Sequence, residues 1–189
     1  MVRIRLLSFM LLFSVFSQVQ SNFEDFLNPS DSLNIARQTG VYIGESVALG
    51  TTLLGLNQIW YKDYAQTNFH FINDNKQWLQ LDKIGHVYSS YHLGRVGAEL
   101  LSWSGVSKNE QLVYGATLGF GFLTVVETFD GFSQEWGASS GDIIANATGT
   151  ALYVSQELLW KEQRIIPKFF FPSDQIRFTT SGSVRCCFK

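Results

Sequence analysis

The sequence predicts an all-α protein: an antiparallel four-helix bundle, membrane-associated or membrane-embedded, with an irregular C-terminal tail. Three observations lead there. Four apolar, helix-like segments are joined by short loops, the arrangement of an up-down bundle. The 189 residues are 46% hydrophobic but only 16% charged, well below the roughly 25% charge of ordinary soluble domains. Three polar constellations, DKIGH (Asp82–His86), ETFD (Glu127–Asp130) and DIIAN (Asp142–Asn146), sit inside these apolar segments. Ionisable groups in such places are costly unless paired, so they imply a shared polar centre.

Residues 1–21 read as a secretory signal. Arg3 and Arg5 form a basic start, Leu6–Phe16 an apolar run, and Val19-Gln20-Ser21 a cleavage site before Asn22. The rival reading is an uncleaved anchor, for which the apolar run is short. No Cys follows the run, so no lipid-attachment signal is read. Cleavage removes two Arg and no acid, which takes the net charge from −2 to −4.

A single helical domain is expected over 22–168. Asp31 or Ser32 caps a first helix reaching about Tyr61. Its second half, Ser46–Tyr61, carries no charge, and Gly40 and Gly44 are spaced for close approach of another helix. Asn68–Gln80 is an aromatic and polar loop suited to an interface or a lid. A second helix starts at or just before Asp82 and runs to about Trp103, where Ser104-Gly105 breaks it. Ser107 with Glu110 is a capping box opening a third helix through about Phe129. Gly115 and Gly119 give it a small-residue face. Gly131–Ser140 is a loop, and Ser140 caps a fourth helix over about Gly141–Lys161. The tail, 169–189, has Pro172 and no helical period.

The pI near 5.9 and the lack of a basic stripe argue against a nucleic-acid partner. The cysteines, Cys186 and Cys187, are adjacent and nearly terminal. That spacing makes neither a disulfide framework nor a zinc site.

Asp82 and His86, at i and i+4, share a helical face, so the carboxylate can orient the imidazole. The plain alternative is a helix-start Asp beside a structural His. Lys83 points away from that pair and is free to bind a phosphate or to snorkel to an interface. Glu127 and Asp130 lie near a helix C-terminus, where the dipole disfavours negative charge. They call for compensation by a cation, by His86 or by Lys83, or else for exposure to water. Asp142, Asn146 and Gly149 form one stripe at i, i+4 and i+7. Asp142 sits in the first turn, where capping alone explains it. By connectivity the start of the second helix, the end of the third and the start of the fourth meet at one end of the bundle. His70, in the aromatic loop, is placed to join them.

The words FHFINDNKQWLQLDKIGH and ETFDGFSQEWGASSGDIIAN, followed by Gly149, resemble the YfiM-like family of predicted exported proteins over roughly Trp60–Lys168. A weaker similarity is to VanZ-like membrane proteins, through DK-x-x-H and D-x-x-x-N-x-x-G. The resemblance implies a helical protein of the cell envelope, periplasmic or membrane-associated, and transfers no chemistry. The ending SGSVRCCFK departs from the ordered continuation it implies and suggests a truncated tail.

The expected function is an envelope protein with a buried Asp/His/Glu/Asn site that binds or processes the headgroup of a lipid or cell-wall precursor. If it is an enzyme, His86 is the base, Asp82 its orienter, Glu127, Asp130 and Asp142 acids or metal ligands, and Asn146 a hydrogen-bonding orienter. Lys83, Trp78 and His70 are the candidate ligand-binding residues. A divalent ion is the candidate cofactor, with His86, Glu127, Asp130 and Asp142 its candidate ligands. The partner is a membrane lipid or envelope component. The alternative is a non-enzymatic structural or interaction protein whose polar cluster fixes helix packing.

Overall fold

A computed structural model describes residues 26–169 except 77. The signal (1–21), the tail (from 170) and both cysteines lie outside them. The described chain is mostly helical: α1 (Ile35–Leu56), α2 (Leu81–Trp103), α3 (Lys108–Phe132) and α4 (Ser140–Leu159). One departure from the all-α expectation is a short parallel ladder, β1 (Phe71–Ile72) with β2 (Ala138–Ser139). Two residues per strand are too few to show a period-2 pattern in sequence.

The core is a three-helix unit. Gly94 lies against Ala116, Gly97 against Gly115, and Gly119 against Ser90, so α3 runs antiparallel to α2. Gly149 of α4 meets Val87 and Tyr91, and α4 runs parallel to α2. A Cβ on Gly119 would lie 2.3 Å from Ser90 O, so the small face expected at Gly115 and Gly119 is what lets these backbones touch. Tyr91, Ala98, Leu112, Ala116 and Tyr153 fill the centre.

The fourth helix of the expected bundle stands apart. Val41 is the buried residue of α1, and it packs with Leu101 and Val106 at the far end of α2. Gly40 and Gly44, expected to seat another helix, meet no atom within 4 Å. The cap of α1 is Asn34, whose Oδ1 accepts from Arg37 N at 3.1 Å, rather than Asp31 or Ser32. That stretch is drawn instead over the end of α2, where Ser30 N donates to Trp103 O and Ser32 O crowds Gly105 at φ +77°. Only glycine fits a left-handed residue under such a contact.

α3 begins at the expected Ser107–Glu110 capping box, includes a π-type turn over Gln111–Gly115, and extends to Phe132. It is the one described helix long and apolar enough to cross a membrane, by length and composition only. Its first turn is tied to the last turn of α4 by Lys108 and Glu157, which also accepts from Gln163 Nε2 at 2.7 Å. Burial pushes the Glu157 carboxyl up, but the Gln163 hydrogen bond and the Lys108 ammonium outweigh it and hold it below 4.5. A depressed carboxyl stabilises the fold above its unfolded value, and that contribution disappears as pH falls through the folded value. Glu157→Gln should therefore cost about 1 kcal/mol at pH 7, with the gap closing below pH 4.5. Urea unfolding at several pH values checks this, and a pH-independent gap contradicts it.

Candidate functional site

The starts of α2 and α4 and the last turns of α3 meet, as connectivity implies, and form a polar cluster. Ser139 organises it. This residue, rather than Ser140, caps α4: its Oγ accepts from Asp142 N at 3.3 Å and donates to Asp74 Oδ1 at 2.7 Å. Its backbone N–H donates to Glu127 Oε2 at 2.9 Å. The β1–β2 ladder brings Asp74 and Ser139 together. Gly141 then passes so close to the loop that a Cβ would sit 2.5 Å from Asn75 Oδ1.

Lys83 does not point away. Its ammonium lies 2.6 Å from Asp74 Oδ2 and 2.7 Å from Asp142 Oδ1, with Asp82 Oδ2 at 3.5 Å. Only 14% of the side chain is exposed. The free, phosphate-binding lysine of the sequence reading is thus a lysine already saturated by carboxylates. Burial lowers its affinity for the proton, but the bonds to Asp142 and Asp74 win and raise it. In return, Lys83 and Ser139 overcome burial at Asp74 and hold its carboxyl low.

His86 is gripped from one side. Its Nδ1 lies 2.9 Å from Oδ1 of the fully buried Asn146. Since Oδ1 only accepts, Nδ1 donates, and Nε2 is turned toward carboxylates. Nε2 lies 3.5 Å from Glu127 Oε1, 3.7 Å from Asp82 Oδ1 and 4.0 Å from Asp142 Oδ1. Ligand atoms of Asp82, His86 and Asp142 all lie within 4.8 Å of one another. Asp142 and Glu127 are buried, whereas 48% of the Asp82 side chain is exposed, so the cluster opens to solvent there.

Glu127 is not at an exposed helix end. α3 continues for another turn beyond it, and burial, against the Ser139 N–H and with Asp142 adding to it, pushes its carboxyl up to about 7. Burial also raises Asp142, against Lys83. Asp130 lies beside the centre and is held by Tyr61, whose O–H donates to its Oδ1 at 2.6 Å; burial raises its carboxyl.

Of the sequence candidates, Asp82, Lys83, His86, Glu127, Asp142 and Asn146 come together, and Asp130 lies at the edge. His70 does not join them. Its backbone is fixed by Gly131 O and Ala138 N, and its ring lies beside Gly137. Trp78 falls in a 3-10 turn, and its side chain lies outside the described residues. Asp74, Ser139 and Tyr61 were missed. Ser139 was findable, since Ser139-x-x-Asp142 is itself a capping pattern; Asp74 and Tyr61 carry no local signal.

The fold and cluster define a mostly helical protein with a buried polar centre on three adjoining helices. Residues 70–157 match a family described as "Predicted periplasmic lipoprotein (DUF2279)". The matched stretch holds every residue of the cluster except Tyr61. It supports an exported family, as the resemblance implied, and is consistent with an exported cell-envelope protein; it does not bear on the YfiM-like or VanZ-like specifics. The lipoprotein element is said of the family; the cysteines of this chain are Cys186 and Cys187. No curated protein and no solved structure matches the chain.

Proposed function

We propose that the cluster is a divalent-cation site of an exported envelope protein, with His86 Nε2, Asp82 and Asp142 as ligands and Glu127 alongside. One observation carries this reading. The Nε2-to-oxygen separations of 3.5, 3.7 and 4.0 Å are too long for hydrogen bonds. They suit ligands sharing one ion, since bonds of about 2.0–2.2 Å set ligand atoms roughly 3.4 Å apart around a tetrahedral centre. Charge points the same way: Asp74, Asp82 and Asp142 surround one ammonium, Lys83, and Glu127 adds a further carboxyl beside His86. One nitrogen with several carboxylates suits zinc or manganese. Asn146 fixes the imidazole as an outer-shell partner.

In this reading His86 is a ligand rather than a free base. The expected lipid or cell-wall-precursor headgroup enters only through the ion, on the open side at Asp82, because an anion meeting the bare carboxylates is repelled. A second reading, favoured by the short Lys83 pairs, is that the cluster only fixes helix packing.

Thermal unfolding separates the two. Zinc or manganese at about 100 times its Kd adds roughly 2.7 kcal/mol to a protein that binds it only when folded. Wild type should gain a higher midpoint that EDTA reverses; His86→Ala and the half-exposed Asp82→Asn should not. Equal shifts in all three, or none in wild type, support the packing role instead.

A further inference from the structure

After α4 the chain turns at Lys161, with φ +60°, and residues 163–169 return along α4 and α2 as a strap without regular secondary structure. Gln156, only 2% exposed, grips the strap with both ends of its amide. Its Oε1 accepts from Arg164 N at 2.9 Å and Ile165 N at 2.6 Å, and its Nε2 donates to Ile165 O at 3.0 Å. Ile166 packs against the core. Further on, His92 Nε2 donates to Pro167 O at 2.9 Å, and the Phe169 ring lies 4.6 Å from that of Tyr88.

These contacts fix a direction and a register. From Pro167 to Phe169 the strap steps from His92 to Tyr88, one turn toward the start of α2. Four residues of helix rise about 6 Å, and two residues of extended chain about 6.6 Å, so the steps match. Alternate residues of an extended chain face the same side. The next step therefore sets residue 171 over residue 84. Beyond Tyr88 that face of α2 carries Ile84, 52% exposed, and Leu81, 59% exposed. A Cβ on Gly85 would meet nothing within 4 Å. The apolar stripe that Phe169 begins to cover is thus open where the next residues, Phe170 and Phe171, are due. Those two lie outside the described residues.

We propose that Phe171 seats on Ile84 and Gly85, so that the C-terminal segment continues as a strap along α2 toward Leu81. Three things name this occupant. The chain leaves the described residues one step from the seat, runs toward it, and is apolar at the residue that reaches it. Leu81 directly precedes Asp82, so the seated strap borders the open side of the polar cluster. It uses no residue of that cluster and does not depend on a cation there.

The test is the rate at which a maleimide labels Ile84→Cys in the full chain, with Cys186→Ser and Cys187→Ser removing the native thiols. Adding Phe171→Asp should speed labelling by about tenfold or more, the least that burial of one phenyl ring supplies. Ile144→Cys, at a site on α4 that is 66% exposed, should label fast with or without Phe171→Asp. That control shows that the tail substitution leaves the fold and the reagent's access unchanged elsewhere. Labelling of Ile84→Cys as fast as Ile144→Cys while Phe171 is present would mean that the stripe is open to water. Slow labelling that Phe171→Asp does not change would mean that a second copy of the chain covers it. Either result would overturn the proposal.

Discussion

Gly149→Val should cost about 3 kcal/mol or more, a large share of a domain stability of roughly 5–15 kcal/mol. A Cβ at this position would lie 2.3 Å from Val87 O and 3.0 Å from Tyr91 N. Both are backbone atoms of α2, so relief requires moving a helix rather than turning a side chain. The better helix propensity of Val returns only a few tenths of a kcal/mol and does not decide the outcome. The same shift would draw Asn146 away from His86, so cation binding should fall with stability. Gly50→Ala is the opposite case. Its Cβ meets nothing within 4 Å, and the variant should gain about 0.5–1 kcal/mol. Urea unfolding of the pair checks both signs, and a Gly149→Val variant as stable as wild type would show that α2 and α4 do not touch there.

Lys83→Met should cost about 3–5 kcal/mol, because it leaves buried carboxylates without their cation. The side chains of Asp142 and Asp74 are only 5% and 12% exposed, so water does not take over the role of the ammonium. Adding Asp142→Asn should recover part of the loss by removing one of the stranded charges. The two readings of the cluster also diverge here. If a divalent ion binds, the variant should lose less stability in zinc or manganese than in EDTA, since the ion then supplies the missing charge. A loss below about 1 kcal/mol would mean that Lys83 is solvated like an ordinary surface lysine.

Much of this was legible in the sequence because it rests on local signals. The Ser107–Glu110 capping box, the break at Ser104-Gly105 and the stripe of Asp142, Asn146 and Gly149 follow from spacing along one helix. The meeting of Asp82, His86, Glu127 and Asp142 follows from connectivity: short loops return each helix to the end where the last one stopped. What was not legible depends on contacts between distant segments. The direction of Lys83 is decided by Asp74, which a two-residue strand pair carries into place. The sparse packing of α1, which rests on Val41, reflects what its glycines fail to meet. Glycine spacing at Gly40 and Gly44 reads the same whether a partner helix arrives or not. Tyr61 reaches Asp130 only after a π-type turn over Asn57–Tyr61, which no periodicity announces.

Asp82, His86 and Asp142 are proposed to hold a cation. Native mass spectrometry of wild type and His86→Ala tests it most directly, with both purified gently and without chelator. Wild-type protein should carry one added mass of a divalent metal, absent from the variant and removed by EDTA. Bare protein in both samples, even after incubation with zinc or manganese, would contradict it and leave the cluster as an ion-pair network that holds three helices in register.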